Sequence, residues 1–249
     1  MKHIPFLTAL IFSAGFFFAG CNNVTVSTGD GSNKASGNGK LKSEQREVSS
    51  FNKIEADGVF NLILSQSGKD SVRVETDENI QPLILTSVEN ETLKIKMKDN
   101  TSIDKMKIVN IYISFASISK MNTNGVGSIK CTDKLNLKEF ELNCKGVGAA
   151  ELNLDAEKLT INSEIVGVLV LSGVVKEAVI HNQGLSVISA FNLKTEKLNL
   201  HSEGAGAVEV YASKDLSVDI SGLGSVKYKG NPETKSVKSE GLSKVESVD

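Results

Sequence analysis

The chain has no tryptophan and, in 249 residues, only three tyrosines, three prolines, three cysteines and three histidines. Each scarcity removes a class of function. Without tryptophan and with so few tyrosines, a broad aromatic platform for sugar rings is hard to assemble. Beyond Cys21 only Cys131 and Cys144 carry thiols, too few ligands for a structural zinc site. Lys and Arg number 28 against 30 Asp and Glu, a formal net charge of −2 with no block of one sign. The basic face that nucleic acid requires is therefore missing. No metal-binding His pair at helical spacing, Gly-x-Ser-x-Gly elbow or kinase-type set occurs. The expectation is a non-enzyme with no catalytic residue, no metal and no cofactor.

Glycine, by contrast, is placed with a period. The steps are Gly125-Val126-Gly127, Gly146-Val147-Gly148, Ile165-Val166-Gly167, Gly184-Leu185-Ser186, Gly204-Ala205-Gly206, Gly222-Leu223-Gly224 and Gly241-Leu242-Ser243, at offsets of 21, 19, 19, 20, 18 and 19. They are not phosphate loops, because they recur in strand context and none opens a helix. A period of this size marks a repeat whose units bury their apolar faces only by stacking on one another.

Aligned on the step, the columns alternate as half-buried strands do. Met121, Leu142, Ile161, Ile180, Leu200, Val218 and Val237 form one apolar column, Ile129, Ala150, Leu169, Ile188, Val208, Val226 and Val245 a second, and Cys131, Leu152, Leu171, Ala190, Val210 and Tyr228 a third. Lys130, Glu151, Glu209, Lys227 and Glu246 belong to a column expected to face water. These columns predict an all-β chain, a right-handed parallel β-solenoid with rungs of about 19 residues and glycine corners from residue 122 onward. Residues 51–120 have strand chemistry without the period, and longer irregular rungs or an antiparallel cap would both fit. Asn90-Glu91 reads as a hairpin turn.

Two constellations are candidates for a ligand-binding surface. The column Asn122, Asn143, Asn162, His181, His201, Asp219 and Lys238 brings His181, His201 and Asp219 within roughly 5 Å of one another if rungs stack. That spacing suits a proton relay or a surface metal site, or else a polar ladder hydrogen-bonded along the stack. Phe191 and Tyr211, at equal places in successive rungs, make either a small sugar platform or a packed turn. The corresponding alternative function is a polysaccharide-binding or polysaccharide-active β-helix protein.

The first fifty residues concern location. A basic start at Lys2, an apolar run over residues 4–19 and small residues before Cys21 form a secretory signal over residues 1–20. The run is too short for a membrane span. Ahead of Cys21, Phe18-Ala19-Gly20 resembles the lipobox of bacterial lipoproteins, which implies lipidation of Cys21 and, with Asn22 next, an outer-membrane location whose leaflet is open. Residues 21–50, rich in Ser, Gly, Asn and Lys, read as a flexible tether, and residues 51–249 as one domain.

Phe51-Asn52-Lys53-Ile54-Glu55-Ala56-Asp57-Gly58-Val59-Phe60, then Val88-Glu89-Asn90-Glu91-Thr92-Leu93-Lys94-Ile95 and Ile111-Tyr112-Ile113-Ser114 before the glycine steps resemble the auto-transporter adhesin head, or GIN, domain. The resemblance covers roughly residues 50–235. It implies a solenoid-like fold, a place among envelope lipoproteins of Bacteroidetes-type bacteria and an adhesin-like role toward a glycan or an envelope or host protein, and it supplies no catalytic residues. Open rod ends and flat sheet faces add the expectation of self-association.

Overall fold

The computed structural model describes residues 24–107 and 109–248. The signal segment and Cys21 lie outside the described residues. Among those residues the only helix is one 3₁₀ turn at Gln81–Leu83, and the rest of the regular structure is strand.

In the repeat region, β10 (Lys120–Cys131), β11 (Leu135–Asn182), β12 (Leu185–Ser202), β13 (Ala205–Ile220), β14 (Leu223–Lys229), β15 (Thr234–Ser239) and β16 (Lys244–Ser247) pair in parallel. The register follows the glycine steps, with Val126 beside Val147, Val166 beside Leu185, Leu185 beside Ala205 and Ala205 beside Leu223. β11 is extended for 48 residues, which drawn straight would reach about 160 Å. Instead it returns on itself, so that Asn162 donates to Asn143 and Gly167 lies against Gly148. Each pass through a glycine step is called a tier below.

The glycines are required where backbones approach. Gly146 has φ of 115°, and a Cβ there would sit 2.0 Å from the carbonyl oxygen of Gly125 in the tier below. A side chain would meet a fixed backbone atom in a region of φ that L-residues avoid.

The first two apolar columns are buried from Met121 to Val218 and from Ile129 to Val226, and the third from Leu152 to Tyr228, as alternation requires. Burial fails in the last tier, where Val237 is exposed because no later strand among the described residues covers β15.

For the N-terminal half, where longer irregular rungs and an antiparallel cap both fit the sequence, the sheet is mixed. β4 (Lys53–Gln66) pairs in parallel with β10, and on its other side with β7 (Thr92–Met97) and β9 (Val109–Phe115). β5 (Ser71–Asp77) is antiparallel to β9, and β6 (Ile84–Glu89) to β7. β6 and β7, joined by a short turn, make a hairpin, while β5 reaches β9 across three intervening strands, and neither pairing has the 19-residue offset of the tiers. The hairpin turn falls at Asn90-Glu91, both with positive φ (50° and 60°), as a tight hairpin demands.

The flexible-tether reading is also corrected over residues 24–50. β3 (Leu41–Arg46) is antiparallel to β5, and β1 (Val24–Ser27) and β2 (Asn33–Ser36) flank β8 (Thr101–Met106) in a separate three-stranded sheet. These segments bury little beyond Val26. Backbone pairing to strands already placed supplies the order that their composition does not, and β3 closes an edge of the main sheet.

Candidate functional site

The repeat tiers expose one face whose columns are set by strand parity. Along β10 the even positions 122, 124, 126, 128 and 130 point outward, while Met121, Ile129 and their equivalents point into the core. Successive tiers lie in register, so each outward position becomes a column running along the stack.

The first column is a polar ladder. Asn143 Nδ2 donates to Asn122 Oδ1 (2.8 Å), and Asn162 Nδ2 to Asn143 Oδ1 (2.6 Å). It continues through His181, His201, Asp219 and Lys238, which pair tier to tier. The structure thus brings together the three residues singled out from sequence. The two imidazoles meet edge to face with centroids 6.0 Å apart. His201 Nε2 lies 3.0 Å from Glu203 Oε1, and its Nδ1 lies 3.7 Å from Asp219 Oδ2. Lys238 sits between Asp219 (4.0 Å) and Glu240 (3.1 Å). The hydrogen bond with His201, then that from Gln183, holds the Glu203 carboxyl below its ordinary value. Among the described residues no group of three or more His, Cys, Asp or Glu is placed to hold a metal ion. The arrangement is a surface ladder of hydrogen bonds and ion pairs.

Each ring of the aromatic pair has a lysine over it. Lys194 Nζ lies 3.9 Å from the centroid of Tyr211, and Lys229 Nζ lies 4.8 Å from that of Phe191. One face of each ring thus carries an ammonium group. Tyr211 and Lys194 also line a shallow groove of about 760 Å³ that crosses the turns, with Asp155, Glu157, Val174 and Lys176 on its walls.

Cys131 and Cys144 are free thiols. Cys144 is buried and donates weakly to the Asn162 carbonyl (3.7 Å), and Cys131 is half-buried. Burial pushes both thiols up to about 11, which leaves little thiolate at neutral pH.

The middle residue of each glycine step makes a further feature of this face. Val126, Val147, Val166, Leu185, Leu223 and Leu242 are all exposed, Leu185 at 61% and Leu242 at 83%. Val170 and Val187 add exposed aliphatic surface beside them. Together they make a continuous apolar column in the centre of the outward face, flanked by charged columns in which Lys145 pairs with Glu164 (2.7 Å) and Lys130 with Glu151 (3.3 Å). The signal was available: these residues hold outward parity and are aliphatic in every step, but a step read as a corner drew attention to its glycines. Contiguous exposed apolar surface of this kind marks an interaction site more often than isolated apolar residues do.

The family described as "Putative auto-transporter adhesin, head GIN domain" matches residues 50–232. A putative adhesin from Bacteroides fragilis has 28% identity and a TM-score of 0.82, with 86% of this chain and 99% of that chain covered. A putative lipid binding protein from Parabacteroides distasonis has 26% identity and a TM-score of 0.70, over 87% of this chain and 100% of that one. A putative adhesin from the same organism, at 24% identity and a TM-score of 0.68, covers 87% and 100% and shares the fold. No curated protein matches the chain.

Proposed function

The chain belongs to the family of auto-transporter adhesin head, GIN, domains, and from that membership we propose that it is a non-enzymatic, adhesin-like binding or assembly module of the bacterial cell envelope. In this reading residues 1–20 are a lipoprotein signal, Cys21 carries the lipid and the outer membrane holds the protein. The parallel tiers wind as a right-handed β-solenoid with rungs near 19 residues. Their outward face, and not a pocket, is the working surface.

The observation that carries this reading is the exposed aliphatic column from Val126 to Leu242 on the outward face. Burying such a column stabilises a complex by roughly 25 cal/mol per Å² of apolar area before association costs are met. A rigid ladder repeats the contact at each tier, so weak contacts add along one rigid surface. The charged columns on either side confine the apolar strip and give it orientation. The Asn–His–Asp ladder serves the fold rather than a reaction, since its members already satisfy one another.

The test uses cells carrying the full chain. Val166→Asp places a charge in the column at a position exposed by 50%, so folding should persist, as circular dichroism would verify. Retention on surfaces coated with envelope proteins, host proteins and glycans should fall at least about tenfold, the change expected when a charge is buried unpaired at an apolar contact. Equal retention of the two cell types on every surface would overturn the reading. In the same cells Cys21→Ser should move the protein from the membrane to the soluble fraction; unchanged membrane recovery would refute the anchor.

A further inference from the structure

Taking the apolar column as the binding face, we infer that its partner is a second copy of this chain, docked face to face and antiparallel about a two-fold axis through the Leu185 tier. The proposal rests on the order of side chains along the columns. Among the seven glycine-step tiers, three precede the Leu185 tier from Val126 on and three follow it to Leu242, and the stack continues past Val126 into β4, where Val59 lies beside it.

Reversing the tiers about Leu185 sets Lys130 opposite Glu246 of the second copy and Glu151 opposite its Lys227. By symmetry each pair occurs twice. In the apolar column Val126 then meets Leu242, Val147 meets Leu223, Val166 meets Ala205, and Leu185 meets its own counterpart. Each of these residues is in register with its neighbours above and below, so the pairing follows from tier order alone.

The charges also exclude neighbouring registers. Moving the axis half a tier toward Val166 sets Lys130 against Lys227 and Glu151 against Glu209. Moving it half a tier the other way sets Glu151 against Glu246. Like charges face each other in both cases, a penalty that selects one register over the next. On the other flank Glu164 faces Glu203 of the second copy, a like-charge contact offset by Lys145 beside Glu164 and by the hydrogen bond of Glu203 with His201, just as Lys130 and Glu151, paired with each other within one copy, are shared with Glu246 and Lys227 of the second.

The size fits as well. From position 122 to position 130 the strand spans about 26 Å, and seven tiers rise about 29 Å, so the face offers on the order of 750 Å² per copy. A standard stable interface buries about 800 Å² on each side. Two such sheets pack about 10 Å apart, within reach of Lys and Glu side chains.

The antiparallel arrangement places the two N-terminal ends at opposite ends of the dimer. Because β1 starts at Val24, only about 10 Å of chain separates Cys21 from the fold. With both copies lipidated the dimer would lie along the membrane, held at both ends, and two anchors hold far more firmly than one.

The experiment keeps the full chain in its membrane. Leu185→Cys places a thiol on the axis, where it faces itself, and mild oxidation should link it into a dimer on a non-reducing gel. The wild-type chain is the control, since Cys131 and Cys144 are free and sheltered. Val126→Cys and Leu242→Cys should each stay monomeric when expressed alone and cross-link when co-expressed. In the Leu185→Cys background, Glu151→Lys and Lys227→Glu should each lower the dimer yield at least about tenfold, and the two together in one chain should restore it. A Leu185→Cys chain that remains monomeric, or a double charge reversal as weak as the singles, would overturn the proposal. If it is overturned while Val166→Asp still abolishes surface retention, the face binds a different partner and the functional reading stands.

Discussion

Asn143 and Asn162 stand 19 residues apart and are joined by a 2.6 Å hydrogen bond from Asn162 Nδ2 to Asn143 Oδ1. Asn143 Nδ2 in turn donates to Asn122 Oδ1 and to Glu141 Oε1, both at 2.8 Å. One amide thus ties three tiers together on the outward face. A polar side chain at that place is worth more to the stack than an equally exposed charge, because all its hydrogen-bonding groups have fixed partners.

Asn143→Ala removes three hydrogen bonds at a half-buried site and leaves the amides of Asn122 and Asn162 to solvent. At roughly 0.5–1.5 kcal/mol for each bond, partly regained from water, the expected loss is about 2 kcal/mol. Urea unfolding should show a lower midpoint with an unchanged slope. A variant as stable as wild type would mean that the ladder contributes nothing measurable.

The glycine steps are expected to be far less tolerant. Gly146→Ala sets a Cβ 2.0 Å from the Gly125 carbonyl oxygen at a φ of 115°, so a tier must shift. The expected cost is roughly 3 kcal/mol or more. Gly68→Ala is the contrast: no atom lies within 4 Å of a Cβ there, and the loss of unfolded-state freedom should leave stability unchanged or raised by about 0.5 kcal/mol. Thermal melts of the two variants side by side decide the point, since equal melting temperatures would show that the close approach is not limiting.

Much of this architecture is readable in the chain because the same constraint recurs in each tier. The buried columns through Leu142, Ile161 and Ile180, the in-register glycine steps and the ladder from Asn122 to Lys238 all follow from period and parity. The N-terminal half is harder. β5, β6, β7 and β9 obey local turn chemistry, and Asn90-Glu91 announces one hairpin, but no period says that β4 is flanked by β7 and β9 together. Residues 24–50 mislead for a different reason: β1, β2 and β3 are ordered by backbone hydrogen bonds to other strands, which composition does not record. The surroundings of the aromatic pair are not legible either, because the lysines over the rings, Lys194 and Lys229, come from other positions in the tiers.

Acid should destabilise the protein through its outward carboxylates. Glu141 is held below its ordinary value of 4.5 by hydrogen bonds from Asn143, then Lys120. Glu196 is lowered by Lys214 and Glu246 by Lys244. A carboxylate whose folded value is depressed contributes stability that is fully present above the unfolded value and lost as pH falls through the folded one. These groups should therefore leave the melting temperature level from pH 7 to about 5 and lower it below about 4.5. Glu141→Gln should shallow the acid slope; a melting temperature independent of pH down to 3 would remove the carboxylates from the account.

The thiols offer a direct probe of burial. Desolvation raises Cys131 and Cys144 from 9.0 to about 11, so the folded state favours the neutral thiol. That preference is fully present below the unfolded value of 9.0 and is lost as pH rises toward 11. At pH 8 a thiol reagent such as DTNB should therefore react with the folded protein at least about tenfold more slowly than with the same chain in 6 M guanidinium, with Cys144, the more deeply buried, the slower of the two. Because Cys144 lies beneath the Asn162 tier and donates to its carbonyl, labelling there reports the opening of adjacent tiers. If Asn143→Ala loosens the stack, the Cys144 rate should rise by the same free energy that urea unfolding assigns to the ladder, provided labelling proceeds through global opening. Rapid labelling of Cys144 in the native wild-type chain would show that the tiers part far more readily than their packing implies.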